Sequence, residues 1–144
     1  MVVWVDADAC PKSVLQFLRE VKAELGYQLQ TVASQNHFFD QPEHITVGPE
    51  PQATDLAIIN RLRKSDVVVT QDWGLAALVL AKGGKAISPV GSIYRAEKMT
   101  LMLEQRNAMA RFRRGGGHTK GPAARTITDD RNFQQAFRQL LTDG

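Results

Sequence analysis

The chain has 144 residues, of which 43% are hydrophobic and 23% are charged, and its formal net charge is +3. These proportions are typical of a globular protein and exclude a disordered, coiled-coil or collagen-like chain. Because the sequence has neither an apolar run of about 18 residues nor a signal peptide, and contains a single cysteine, we expect a cytoplasmic protein that does not bind membranes.

Apolar patterns predict strands and helices that alternate along the chain. In order, they are a strand at Val2–Val5, a helix that follows Pro11 and stops at Gly26, strands at Tyr27–Ala33 and Ile45–Val47, a helix capped by Thr54 that runs through Arg63, a strand at Val67–Val69, a helix at Trp73–Ala81, a strand at Lys85–Ser88, and helices at Glu97–Phe112 and Asp130–Leu141. Continuously apolar strands between helices are typical of a parallel sheet covered on both faces. We therefore predict a three-layer, Rossmann-like α/β fold with a mainly parallel central sheet flanked by helices, as a single domain over residues 1–144.

The charges are distributed unevenly. Residues 1–72 hold 10 acidic and 6 basic residues, whereas residues 73–144 hold 5 acidic and 12 basic residues. The stretch at about 113–125 has four glycines, four basic residues and no acid, which predicts a Gly-rich basic loop. Basic side chains neutralise phosphates, and glycines let backbone N–H groups approach them. This pattern predicts a nucleic-acid-binding surface, against the alternative of a solvated helix end, formed by Arg111, Arg113, Arg114, His118, Lys120 and Arg125.

Aspartates follow two of the predicted strands. Asp6 and Asp8 come at the end of the first strand, and Asp72 follows the strand at Val67–Val69. Ligands of open α/β sheets bind outside the carboxyl ends of the strands, and carboxylates that meet there favour a hard cation such as Mg²⁺ or Mn²⁺. We predict a catalytic metal site formed by Asp6, Asp8 and Asp72, with Asp55 as a further ligand if its helix register brings it to the same edge. The alternative interpretation is that these aspartates are turn and cap residues.

One pair of segments resembles a PIN domain. The tract Thr54–Ile59 (TDLAII), followed by Val67–Asp72 (VVVTQD), is similar to the second half of that fold, and Asp6 at the end of the first strand completes the likeness. The resemblance implies a PIN-like fold and a nuclease whose acids hold Mg²⁺ or Mn²⁺ for RNA cleavage; because PIN domains often pair, it also implies a homodimer. The remaining PIN acid, usually on a helix between these segments, is missing: residues 27–53 offer only Asp40, Glu43 and Glu50 outside any predicted helix.

A closer resemblance covers nearly the whole chain. Five motifs are similar to the YaiI/YqxD family of small bacterial proteins: VDADACP at Val5–Pro11, VGP at Val47–Pro49, ATD at Ala53–Asp55, VVTQD at Val68–Asp72 and GGGHTKGP at Gly115–Pro122. The combination of DADACP with the later Gly-rich tract is specific. The resemblance implies the PIN-like fold, but it adds little about function because that family's activity is itself inferred from its likeness to PIN domains.

Two further residues have a predicted place near the same edge. Cys10 precedes a predicted helix, whose dipole would favour a thiolate, but no histidine lies near it in sequence to act as a base. We therefore favour a small packed residue at the rim of the site. Trp73 directly follows Asp72 and could line the site, and together with Tyr94 it could stack bases of a single strand. The interpretation we favour is that such an aromatic residue belongs to the core.

Three functions remain open from the sequence. The first is a Mg²⁺- or Mn²⁺-dependent ribonuclease or nuclease, and the second is a non-catalytic nucleic-acid-binding module, which the missing PIN acid favours. The third is a phosphatase of the haloacid-dehalogenase type, in which Asp6 would be the nucleophile and Asp8 a general acid. That class needs a later acidic pair, whereas Asp129 and Asp130 stand at the predicted start of the C-terminal helix.

Overall fold

Strands and helices alternate in the computed structural model, which describes residues 1–34, 43–50, 52–116 and 124–143, apart from the side chains of residues 102, 103, 106 and 113. The strands in these ranges are β1 (Val2–Asp6), β2 (Gln28–Ser34), β3 (His44–Val47), β4 (Val67–Val69), β5 (Lys85–Ile87) and β6 (Ile93–Tyr94). The helices are α1 (Lys12–Leu25), α2 (Ala53–Arg61), α3 (Trp73–Ala81), α4 (Ala96–Arg114) and α5 (Ile127–Thr142), and a 3₁₀ turn spans Ala7–Ala9. The five predicted strands agree with the structure to within one residue at each end.

The six strands form one sheet in the order β3-β2-β1-β4-β5-β6. Every neighbouring pair is parallel except β5 and β6, which are antiparallel. The prediction of an α/β fold with a mainly parallel central sheet is therefore confirmed. The chain first adds strands on one side of β1 and then returns to add β4 on the other side. The carboxyl ends of β1 and β4 consequently flank the crevice in which open α/β sheets bind ligands.

The strand side chains alternate between two helical layers, because successive residues of a strand point to opposite faces. Val3 and Val5 belong to the core formed with α1 and α5, which includes the stacked rings of Phe133 and Phe137. Trp4 belongs to the second core, formed with α2, α3 and α4. Asp6 has the same parity as Trp4, so its side chain points to the face that α2 and α3 cover.

The prediction that Thr54 caps α2 is wrong. The helix begins at Ala53, after Gln52 with a positive φ of 69°, and the N–H of Ala53 donates to the carbonyl of Glu50 at 3.1 Å. Thr54 lies inside the first turn, where its hydroxyl donates to Asp8 at 3.4 Å instead. The helix ends at Arg61, because the next residue is extended.

The first two residues of the predicted Gly-rich basic loop at about 113–125 are helical. Arg113 and Arg114 belong to α4, and the helix is followed by a turn at Gly115 and Gly116, where Gly116 has a φ of 93°. Residues 117–123 lie outside the described part of the chain, and with them the predicted binding residues His118 and Lys120.

The C-terminal helix begins earlier than predicted. Thr126 accepts the N–H of Asp129 at 3.2 Å, and Asp129 accepts the N–H of Thr126 at 2.9 Å, which forms a capping box that starts α5 at Ile127.

The second strand of the β5–β6 hairpin was not predicted, because two residues are too few to show a pattern. Among the described residues, no helix has both the length and the apolar character needed to cross a membrane.

Candidate functional site

Thr70 joins the ends of β1 and β4. Its side chain is 1% exposed, and its hydroxyl donates to Oδ2 of Asp6 at 3.0 Å. The same hydroxyl accepts the backbone N–H of Asp72 at 3.0 Å. A single threonine therefore fixes the relative position of the two acids that follow neighbouring strands.

Asp72 caps α3. Its Oδ1 accepts the N–H groups of Gly74 at 2.8 Å and of Leu75 at 3.2 Å. This arrangement satisfies two of the helix donors that have no intrahelical partner, and it orients the carboxylate at the sheet edge. The interpretation of this aspartate as a cap residue is thus correct, and the cap also holds it beside Asp6.

Asp55 lies in the first turn of α2, and its carboxyl group hydrogen-bonds with that of Asp72. Burial and, to a smaller extent, the negative charges of Asp72 and Asp6 together raise the pKa of Asp55 to about 6. The register of α2, which the sequence does not specify, therefore brings Asp55 to the carboxyl ends of the strands. We call Asp6, Asp55 and Asp72 the acidic rim.

Burial also raises the pKa of Asp6, and the charges of Asp8 and Asp72 add to this effect, whereas the hydrogen bond from Thr70 opposes it. Asp8 lies next to the rim on the 3₁₀ turn. Its carboxylate accepts the backbone N–H of Ser34 at 3.1 Å and the hydroxyl of Thr54 at 3.4 Å. Asp8 thus anchors the end of β2 and the start of α2 while its charge acts on the rim.

The rim can be tested as a site for a divalent cation. Carboxylate oxygens are the donors that Mg²⁺ and Mn²⁺ prefer, and Mg²⁺ usually keeps several waters and binds through one or two carboxylates. In the part of the chain that the structure describes, no group of three or more His, Cys, Asp or Glu side chains has the arrangement of a metal site. The rim therefore fits such a cation in its donor chemistry, with waters as further ligands, and is not a closed protein cage.

The predicted basic residues lie in different places. Arg125 is half-buried, and its Nε donates to Oδ1 of Asp130 at 2.8 Å. Arg111 and Arg114 are exposed near the end of α4. The side chain of Arg113 is outside the description. Of the bases that are described, Arg125 lies near the ends of the strands, since its charge acts on Cys10.

The phosphatase alternative requires a later acidic pair, but the two candidate aspartates form structural hydrogen bonds at the start of α5. Asp129 forms the capping box, and Asp130 accepts the hydroxyl of Ser13 at 2.8 Å in addition to Nε of Arg125. The bond with Ser13 and that with Arg125 lower the pKa of Asp130. These contacts begin the helix and attach it to α1, so the geometry gives the phosphatase alternative no support.

Cys10 and Trp73 both lie at this end of the sheet. Burial and, to a smaller extent, the charge of Asp6 raise the pKa of the Cys10 thiol to about 12, which opposes the thiolate that a helix dipole would favour. Cys10 packs against the core on the α1 side, as favoured from the sequence. Trp73 is half-buried and contacts Tyr94 edge to face, with ring centroids 5.7 Å apart.

Sequence reasoning missed Thr70, which it treated only as the end of a strand. The signal was present in the T-x-D pattern of Thr70–Asp72, because a threonine hydroxyl commonly accepts an N–H two residues ahead. Its bond to Asp6 had no such signal, since 64 positions separate the two residues.

The raised pKa of Asp55 gives a pH-dependent prediction for the cation-free protein. Folded Asp55 holds its proton up to about pH 6, whereas an unfolded aspartate releases it near its ordinary value of 3.8. Between these values the folded state binds more protons, so this group's contribution to the free energy of unfolding decreases as the pH rises. We expect Asp55→Asn to gain stability relative to the wild type from pH 4 to pH 7, measured by urea unfolding in EDTA.

A matched control is Asp143→Asn, which removes an exposed aspartate beyond the end of α5. Its difference in unfolding free energy from the wild type should not follow the same pH course. A constant difference between Asp55→Asn and the wild type across this range would contradict the prediction.

Known proteins of similar sequence match this chain over nearly its whole length. Residues 4–143 match the family described as "uncharacterized BCR, YaiI/YqxD family". A UPF0178 protein of Heliobacterium modesticaldum is 45% identical over 143 residues, which cover 99% of this chain and 98% of the relative. UPF0178 proteins of Exiguobacterium sibiricum and Staphylococcus saprophyticus are each 41% identical, covering 99% and 96% of this chain and 98% and 92% of the relatives. No solved structure matches the chain significantly.

Proposed function

Because the chain belongs to the YaiI/YqxD family, whose description names no reaction, we propose its function from the acidic rim: a Mg²⁺- or Mn²⁺-dependent nuclease that hydrolyses phosphodiester bonds in RNA. The observation that carries this proposal is the convergence of Asp6, Asp55 and Asp72 in the crevice between β1 and β4, where the charge of Asp72 contributes to the raised pKa of both Asp6 and Asp55. Carboxylates that repel one another in this way favour a bound cation.

The residues of the rim have distinct roles in this proposal. Asp6 and Asp72 would hold the cation, and Thr70 keeps their carboxylates in register. Asp55 releases its proton as the pH rises past about 6 and so adds a third negative charge. Asp8, which the sequence predicts as a ligand together with Asp6 and Asp72, contributes its charge at Asp6. When bound, the cation would neutralise charge on the scissile phosphate and make a water molecule more acidic.

The basic half of the chain supports a polyanionic substrate. Arg111 and Arg114 are exposed on α4, and Arg125 lies near the ends of the strands. With Arg113, His118 and Lys120 they would contact the nucleic-acid backbone. Contacts of this kind give affinity that is independent of sequence and falls as the salt concentration rises.

The test is cleavage of a labelled single-stranded RNA by purified protein with Mn²⁺, with Mg²⁺ and with EDTA. We expect cleavage that requires the cation and that falls about 100-fold in Asp6→Asn, because the loss of one charge at the reacting centre has effects of this size. The side-chain oxygen of asparagine can still accept the hydrogen bond from the Thr70 hydroxyl, so the variant should fold. Asp143→Asn is the control and should cleave at the wild-type rate. Equal cleavage by Asp6→Asn would indicate a contaminating nuclease and overturn the proposal.

A non-catalytic nucleic-acid-binding module is the second candidate. It is favoured by the absence, among the described residues, of a three-ligand metal arrangement, and by the hydrogen bonds within the protein that Asp6 and Asp72 already accept. RNA binding in EDTA without turnover, weakened by Arg111→Ala with Arg114→Ala and unchanged in Asp72→Asn, would support this function instead.

A further inference from the structure

A cavity of about 440 Å³ opens at the carboxyl ends of β4 and β5, beside the acidic rim. Its walls include residues from separate parts of the chain. Gln71 and Trp73 follow β4, Val90 belongs to the turn between β5 and β6, Tyr94 ends β6, and Arg125 precedes α5. Small-molecule sites have volumes of about 300–1,000 Å³ and are mostly apolar with a few polar groups, which is the character of this cavity.

One wall of the cavity is a fixed aromatic pair. Tyr94 is 5% exposed, and its hydroxyl donates to the carbonyl of Thr70 at 3.1 Å. Trp73 packs edge to face on this ring, at an interplanar angle of 79°, and remains half-buried. The indole is therefore held in one orientation by a buried neighbour, while part of its surface faces the cavity. Such a surface can stack on a planar ligand.

Arg125 supplies a donor to the same cavity. Its Nε bonds Asp130, whereas its Nη2 is buried and has no hydrogen-bond partner among the described residues. A buried donor without an acceptor is unfavourable, so a ligand that brings an acceptor is bound more tightly there. The carboxylate of Asp129, which also lines the cavity, already accepts the N–H of Thr126. The guanidinium is therefore the cavity's group for an anion.

Thr70 forms hydrogen bonds with residues of both the cavity and the acidic rim. The carbonyl of this residue holds Tyr94, and its hydroxyl holds Asp6 and Asp72. Trp73 also follows Asp72 directly in the sequence. A ligand stacked on Trp73 is thus placed next to the acids by direct hydrogen bonds through Thr70.

We propose that this cavity binds one unpaired nucleotide of a nucleic-acid strand, with the base against Trp73 and a phosphate at Arg125. The proposal rests on the proposed nuclease function and gives its substrate class, which is a strand with at least one unstacked base. A base within a duplex cannot enter, because its faces are covered by its neighbours. The strand leaving the cavity would then pass the acidic rim.

Trp73 fluorescence gives a direct measurement of binding, since the chain has two tryptophans and the other, Trp4, is 5% exposed and bonds Asp66. The wild type in EDTA is titrated with a single-stranded RNA octamer, the matching duplex, a nucleoside monophosphate and inorganic phosphate. We expect the octamer to quench the emission and the duplex and inorganic phosphate to leave it unchanged. Trp73→Phe, which retains only Trp4, should show no quenching.

Affinity for the octamer, measured by fluorescence anisotropy of a labelled strand, provides the second measurement. Trp73→Ala should weaken binding about 10-fold, the usual size for loss of one stacked base. Arg125→Ala should also weaken it, whereas Arg138→Ala should not, because Arg138 pairs with Glu24 near the other end of α5. Thermal unfolding followed by circular dichroism checks that each variant is folded.

The two proposals fail in different ways. Quenching and Trp73-dependent affinity without cleavage would support nucleotide binding in the cavity and overturn the proposed nuclease function. If Trp73→Ala cleaved RNA at the wild-type rate and bound the octamer with wild-type affinity, nucleotide binding in the cavity would be overturned and the nuclease proposal would remain. Quenching by the nucleoside monophosphate as strong as that by the octamer, at equal concentration, would show a free nucleotide as the ligand and overturn the assignment to a strand.

Discussion

Replacing Asp72 with asparagine is expected to lower cation-dependent RNA cleavage by about 100-fold while the protein keeps its thermal stability. Asp72 does two things at once: it caps α3 through Gly74 and Leu75, and it places a negative charge beside Asp6 and Asp55. Asparagine is as good a helix cap as aspartate, and its side-chain oxygen can accept the same two N–H groups. The substitution therefore removes the charge and leaves the local structure.

Asp72→Ala separates the two roles. Loss of the cap should cost about 1 kcal/mol of stability in addition to the loss of activity, because both N–H groups lose their acceptor. Asp72→Asn and Asp72→Ala should thus be equally inactive and differ in their unfolding free energies. If only the alanine variant were inactive, the cap would be the important contribution and the charge would not.

Cation binding gives a measurement that does not depend on turnover. A ligand that binds only the folded state raises the melting temperature in proportion to the logarithm of its concentration at saturation. Wild-type protein should therefore melt at a higher temperature with increasing Mn²⁺, whereas Asp72→Asn should respond much less. Asp143→Asn should respond like the wild type. An equal response of all three proteins would contradict the proposal that the rim holds the cation.

Most of the fold was predictable because its strands are short, apolar and separated by helices with clear stops. Gly26, with a φ of 73°, ends α1 where the sequence predicts. The order of the strands was not predictable, since local patterns do not specify which strand lies beside β1. The strand β6 was also missed, because its pairing with β5 depends on the turn at residues 88–92 and not on its own two residues.

The acids of the rim illustrate the same limit. Asp6 and Asp72 could be predicted because each follows a strand, and parallel strands end at one edge. Asp55 could not be placed, because each residue of helix register turns a side chain by about 100°, and the start of α2 depends on the turn at Gln52. The number of acidic residues alone does not indicate where a functional site lies, as Asp66 shows.

Asp66 is buried, and its carboxylate accepts the N–H groups of Val2, Trp4 and Arg63. These bonds lie at the amino-terminal end of the sheet, where Val67 begins β4 and Val2 begins β1. An acid counted in the same charge balance as the rim therefore has a purely structural environment. Position relative to the strand ends carries the functional information, and net charge does not.

Thr70→Val is the second variant with a large expected effect. Valine has the shape of threonine without the hydroxyl, so it removes the bond to Asp6 and leaves the N–H of Asp72 without its acceptor. Thr70 is 1% exposed, and an unsatisfied buried group costs about 1–3 kcal/mol, which is the loss of stability we expect in urea unfolding. Cleavage should also fall, by about 10- to 100-fold, because the carboxylates lose the group that aligns them.

Thr70→Ser separates alignment from packing. Serine keeps the hydroxyl and loses one methyl group, so it should retain most of the cleavage activity even if its stability is reduced. Tyr94 bonds the backbone carbonyl of Thr70, which both variants retain, so both should bind the single-stranded octamer in EDTA with wild-type affinity. Reduced cleavage with unchanged binding in Thr70→Val identifies this residue as a positioning residue of the rim. Equal cleavage by the valine and serine variants, measured well below their melting temperatures, would show that the hydroxyl has no such role.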